Sequence, residues 1–212
     1  MTARTEKALI ALAVQTVLAA GFVAIGQATA RHAIPPPPWL DTPLDRSVPL
    51  VPGWVWVYAT WYPAPLALLA AERIRFRRAA AAVLVAFAAC ACGYLAWPVR
   101  IDRPPADGRG ASFAALAVLY RIDPPVNVFP SFHAALAAVL VAVGPARGPA
   151  RTGIVAWMLA VCVSCVLTKQ HYVLDVLAGA AVGFAADRLA TRLLGTTPAR
   201  RPRPRAAEAA AR

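Results

Sequence analysis

Apolar positions come in long blocks along this chain, broken by short charged or proline-rich stretches. The blocks occupy residues 8–30, 54–71, 79–97, 131–144, 153–168 and 173–189. A helix needs roughly 20 apolar residues to cross a bilayer. Only helices and closed barrels satisfy their backbone polar groups there. The pattern therefore predicts an all-α fold: a polytopic membrane bundle of about six transmembrane helices. The block at 131–144 is short for a span. A further apolar piece at 111–120 is too short to cross and is expected to lie in the interface.

The punctuation is equally local. Four consecutive prolines at 35–38 make residues 31–52 an extended loop. Trp54, Trp56 and Tyr58 open the second block as an aromatic belt, and Pro63 and Pro65 are expected to kink it. Residues 73–78, with Arg73, Arg75, Arg77 and Arg78, read as a tight basic loop before the third block. Residues 1–195 form a single membrane-embedded domain in this reading. Residues 196–212 are a basic cytoplasmic tail, expected to be disordered and to touch anionic lipid.

Charge orients the bundle. The chain has 22 Lys and Arg against 10 acidic residues, a net charge of +12. With the N-terminus inside, fifteen basic residues fall on inner segments and seven on outer ones. The positive-inside rule then puts both termini in the cytoplasm and the protein in the plasma (inner) membrane as a multi-pass chain. The same charge in a soluble domain would suggest nucleic acid. No basic face is interleaved with exposed aromatics here, so nucleic acid is excluded as a partner. The Ala28-Thr29-Ala30 triplet resembles a cleavage site. Its apolar block exceeds the roughly 7–15 residues of a signal core, so a retained span is expected. Cys162 and Cys165 have C-x-x-C spacing, but no second pair or nearby histidine completes a zinc pattern. They read as small residues at helix contacts, and Asp187 is expected to pair with Arg188 or Arg192.

Chemistry concentrates at two block edges. Pro130-Ser131-Phe132-His133 opens the fourth block, and His171-Tyr172-Val173-Leu174-Asp175 opens the sixth. The topology puts both at the outer face, so His133 and His171 share one depth. His171 and Asp175 are i and i+4 on one helix face. Asp175 can then hold one imidazole nitrogen and leave the other nucleophilic. The helix start at Ser131 offers a hydroxyl and the Ser131–His133 amides to a phosphate. Lys169, Arg100, Arg103 or Arg121 would neutralise its oxygens. Each residue has an ordinary explanation too: Ser131 as an N-cap, His133 as a snorkelling side chain, Asp175 as a structural partner of Lys169 or Arg121. Their coincidence at one depth favours chemistry.

These segments resemble the second and third motifs of the type 2 phosphatidic acid phosphatase superfamily, over about residues 97–183. Pro130-Ser131-Phe132-His133 matches Pro-Ser-Gly-His. Ser164, His171 and Asp175 match the third motif in register, with Ala178-Gly179 following. The chain departs at Cys165, where the motif has arginine, and at Phe132, where it has glycine. Of the first motif only Arg103-Pro104 remains, with Ala96 at the lysine position. Similar deviations mark the inositol phosphorylceramide synthase branch, in which Lys169 would replace the missing cation.

The resemblance implies an integral membrane lipid phosphatase working through a phosphohistidine, with its site on the extracytoplasmic face. His171 would attack phosphorus, Asp175 would orient it, and His133 would move the proton. Ser131, Phe132, Lys169, Arg100 and Arg103 would hold the phosphate. No metal or other cofactor is implied, and the expected partner is a lipid phosphate or phospholipid in the membrane. An alcohol acceptor in place of water would give a phosphotransferase. The missing cations also admit a lipid-binding relative without catalysis. A small transporter is disfavoured by the scarcity of intramembrane charge and of paired broken helices.

Overall fold

A computed structural model describes residues 2–65 and 73–195. Helices account for its regular structure. They are α1 (Ala3–Ala30), α2 (Pro43–Ser47), α3 (Val55–Ala59), α4 (Arg73–Ala96), α5 (Ala111–Ile122), α6 (Phe132–Val143), α7 (Pro149–Leu167) and α8 (Val173–Leu194). No strand forms among the described residues, and one isolated bridge joins Ile34 to Val99.

The long blocks form helices for the reason their composition implies. Thr2 caps α1 by accepting from the Thr5 amide at 3.2 Å, and 28 residues follow without a break. Among the described residues three helices are long and apolar enough to cross a membrane: Arg4–Ala30, Arg75–Ala96 and Pro149–Leu167. Only 6% of the apolar window of α1 is buried inside the protein, against 39% for α4. The apolar surface of α1 therefore matches lipid rather than a protein core. α8 is as long as these but carries Asp175, Asp187, Arg188 and Arg192.

α6 explains the short fourth block. It has 12 residues, about 18 Å at 1.5 Å each. All of residues 132–141 are buried. A helix that is apolar all round is an internal helix, and α6 is the centre around which α8, α4 and α7 pack. Gly179 and Gly183 of α8 let it approach closely. A Cβ on either would collide with the backbone oxygen of Ser131 or Ala135. This is the small-xxx-small contact by which membrane helices draw together.

Three local expectations differ from what forms. The second block is not one helix. Among its described residues it makes a 3-10 turn (Pro52–Trp54), the five-residue α3 and then turns up to Pro65. Pro63 and Pro65 lack amide donors and restrict the residues before them, so the helix stops short instead of kinking. The rest of that block lies outside the described residues, as does the expected tail at 196–212. The basic loop at 73–78 is instead the first turns of α4. Asp187 pairs not with its own helix but with Arg78 of α4, at 2.9 Å. Asp187 is turned inward, and α4 is the helix it meets.

At the other end of the bundle, residues 31–52 fold back over the core. Leu40 is fully buried in a cluster with Val99, Ile101, Val128 and Tyr172. Trp39 stacks on Trp97 at 5.0 Å. This strap places α2 beside the start of α8.

Candidate active site

Three helix ends and two loops converge beneath the strap. α6 starts after a cis Phe129–Pro130 bond. Ser131 is its N-cap, accepting from the Ala134 amide at 3.4 Å, and its own amide donates to the Asp175 carbonyl at 3.0 Å. Tyr94 of α4 secures the same turn. Its hydroxyl donates to the Pro130 carbonyl at 2.8 Å and accepts from the Phe132 amide at 3.2 Å. The Phe132 amide thus already has a partner.

α7 ends at Thr168, and Lys169 turns the chain at φ +54°, a region that costs a side-chain-bearing residue about 1 kcal/mol. The amides of Gln170 and His171 both donate to the Cys165 carbonyl, at 2.9 and 3.1 Å. The Lys169 ammonium holds the turn against the strap, donating to the carbonyls of Asp45 at 2.9 Å and Val48 at 2.6 Å. Asp45 in turn accepts from the Val173 amide at 2.7 Å, which anchors the start of α8.

These supports bring the three expected residues together. His133 Nδ1 lies 3.0 Å from His171 Nε2. His171 Nδ1 faces Asp175 Oδ1 at 3.3 Å, near enough for an ion pair but not aligned as a hydrogen bond. The other oxygen of Asp175 accepts from the Tyr172 amide at 3.0 Å, so one carboxylate caps α8 and faces the imidazole. All three are buried, with Asp175 wholly so.

The expected phosphate contacts are distributed unevenly. Ser131 and Phe132 stand at the site with their polar groups engaged by local partners. Lys169 is held by backbone carbonyls. Arg100 pairs with Asp102 at 3.2 Å on the exposed loop. Arg103 turns inward. It donates to the Asp123 carbonyl at 2.6 Å and to Gln170 Oε1, and lies 4.9 Å over the Tyr120 ring. Its Nε and the Nε2 of Gln170 are buried donors with no partner among the described residues. Such groups cost about 1–3 kcal/mol each unless something accepts from them. Burial pulls the Arg103 pKa down, with Asp123 opposing. Burial likewise raises the Asp123 carboxyl above the ordinary range, and Arg103 and Tyr58 offset part of that rise.

Two cavities flank the histidine pair. One of about 200 Å³ is of mixed character, lined by His171, Lys169, Asp41, Asp45, Arg46 and Asp102 together with Ile101, Pro104 and Val166. The other, of about 280 Å³, is mainly apolar. It is bounded by His133, Asp123, Trp61, Phe132, Tyr62 and the Leu18–Phe22 side of α1. Among the described residues no group of three or more His, Cys, Asp or Glu is arranged to hold a metal ion. The cysteines are free thiols. Cys165 is buried in an apolar cluster with Val161 and Val176.

A family model described as the PAP2 superfamily matches residues 24–189, which includes every residue of this site. The chain belongs to the PAP2 superfamily. No curated protein and no solved structure matches it significantly. Membership carries a phosphatase or phosphotransferase type of function.

Several residues at the site were not legible from sequence. Tyr58 reads as a belt aromatic, yet its hydroxyl lies 2.5 Å from His133 Nε2. Asp123 and Gln170 stand in polar connections with no motif around them. Asp45 carried one usable signal: Thr42, three residues before it, completes a capping box.

Proposed function

We propose that this PAP2-superfamily member is an integral membrane phosphatase acting on a lipid phosphate through a phosphohistidine. The observation that carries the reading is the buried His133–His171 contact, with Asp175 behind His171 and an apolar cavity beside His133. A lipid phosphate has both parts this arrangement suits, an anionic head and an apolar tail. Arg103 Nε and Gln170 Nε2 offer donors to the phosphoryl oxygens. The charge bias of the chain supports an extracytoplasmic site.

In this mechanism His171 Nε2 forms a bond to phosphorus as the ester P–O bond breaks. His133 Nδ1 gives its proton to the departing oxygen. Water then loses a proton to the same Nδ1 and attacks phosphorus, and the N–P bond breaks. Asp175 keeps the His171 Nδ1 proton in place throughout. The rings touch at 3.0 Å, so an entering phosphoryl group must part them.

The test is phosphate release from detergent-solubilised lipid phosphates. His171→Ala should lower kcat by roughly 10⁴-fold or more, as loss of a nucleophile does. Wild-type turnover in that variant would end the proposal. A second reading, transfer to an alcohol, is favoured by the charged side chains lining the cavity on the His171 side. Three aspartates, a lysine and an arginine there suit a polyol acceptor. Adding a polyol should then divert product from phosphate to the phosphorylated alcohol.

A further inference from the structure

His133 is gripped at both ring nitrogens, and the grip at the far one comes from residues outside every motif. The Tyr58 hydroxyl lies 2.5 Å from His133 Nε2 and donates to Asp123 Oδ2 at 2.9 Å. Tyr58 is fully buried, and Asp123 and His133 nearly so. The Trp61 ring sits 4.4 Å from the imidazole, and the Trp61 indole N–H donates to the His133 carbonyl at 3.1 Å. The ring therefore has little freedom to turn.

Donor counting decides what this grip does. A hydroxyl has one proton. Tyr58 gives it to the Asp123 carboxylate, so its oxygen can only accept from His133. With Asp123 ionised, Nε2 of His133 then carries hydrogen. At the opposite edge, His171 Nδ1 carries hydrogen toward Asp175. A third proton is needed for the 3.0 Å contact between the two rings to be a hydrogen bond. That proton is the mobile one, between His133 Nδ1 and His171 Nε2, flanked by a carboxylate at each end of the chain.

We propose that Asp123 and Tyr58 are positioning residues that fix the tautomer of His133, so that Nδ1 alone moves the proton. This deepens the reading of His133 as the acid and base of the site and rests on it. With Nε2–H pinned, His133 offers Nδ1–H to the leaving oxygen. After giving that proton it is neutral, with a lone pair on Nδ1 ready for the incoming water or alcohol. Without the pin, the neutral ring distributes its hydrogen over both nitrogens, and part of the population faces the substrate with the wrong one. Asp123–Tyr58 thus does for His133 what Asp175 does for His171.

The test combines two readouts on the full-length protein in detergent. The chain has three histidines, so ¹⁵N-histidine labelling gives few signals, and His→Ala variants assign them. In the wild type, His133 Nε2 should show the shift of a protonated ring nitrogen. Tyr58→Phe, which keeps the ring and removes the hydroxyl, should move that shift toward a mixture of tautomers. It should also lower kcat about 10- to 100-fold with KM little changed. Asp123→Asn should act in the same direction, and the double variant should be no worse than Tyr58→Phe alone. The second variant also covers the case in which Tyr58→Phe folds poorly.

A wild-type His133 with bare Nε2 would overturn the proposal, as would Tyr58→Phe with unchanged shifts and unchanged kcat. Failure of the enzyme reading is a different result. No lipid phosphate would then be turned over by the wild type, while the nitrogen shifts still report the tautomer.

Discussion

Gly179→Ala is the sharpest probe of how the fold holds the site. The added methyl would point from α8 into the Ser131 carbonyl, at the turn that begins α6. A carbonyl oxygen in a capped helix start cannot swing aside as a side-chain tip would. The helices must therefore separate, by an amount on the order of 1 Å. Overpacking of this kind costs about 1–3 kcal/mol, and the rigid backbone contact places this case near the upper end. The same movement separates His133 on α6 from Asp175 on α8. It also lengthens the Ser131–Asp175 backbone hydrogen bond, now 3.0 Å. A misplacement of about 1 Å at reacting groups costs roughly 10²-fold, equal to ~2.7 kcal/mol of barrier. Thermal unfolding in detergent and kcat on a lipid phosphate should therefore both fall. Gly153→Ala is the control. It lies in α7 with nothing within 4 Å of its built Cβ, and it should gain up to about 1 kcal/mol through helix propensity. Wild-type stability and turnover in Gly179→Ala would refute the close-packing argument. Equal losses in Gly153→Ala would show that the effect is not specific to that contact.

Other outcomes follow from particular contacts. His133→Ala should lower kcat by about 10²–10⁴-fold while the protein remains folded, read by turnover beside far-ultraviolet circular dichroism. Asp187→Leu should leave Arg78 without its partner and cost up to about 3 kcal/mol, whereas Arg78→Leu combined with Asp187→Leu should recover most of it in a denaturation cycle. Lys169→Met should loosen the strap by removing both ammonium hydrogen bonds, seen as faster amide exchange at residues 42–48. Asp123 contributes a pH signature. Its folded pKa is raised, so its contribution to stability is present below the ordinary carboxylate value and is lost as pH rises through the folded value. Over that window the wild type should lose stability relative to Asp123→Asn, and a flat difference would contradict the assigned burial.

The helical blocks and the helix start at Ser131 were legible in the chain, because each depends on neighbours within a few positions. The expected shared helix face of His171 and Asp175 does not form: α8 begins at Val173, and the turn at Lys169 brings His171 to Asp175 from outside the helix. The near contact of His133 with His171 followed from topology, since adjacent helices return to one end of a bundle. Packing between distant segments decided the rest. Tyr58 and Asp123 are 65 residues apart and meet only because α3 and α5 are brought together at the α6 start. Whether Lys169, Arg100 or Arg103 turns toward the site depends on which carbonyl or carboxylate each meets first. Hydropathy blocks specify that a segment is buried or lipid-facing. They do not specify that the shortest one is the central helix, because burial by protein and burial by lipid demand the same apolar residues.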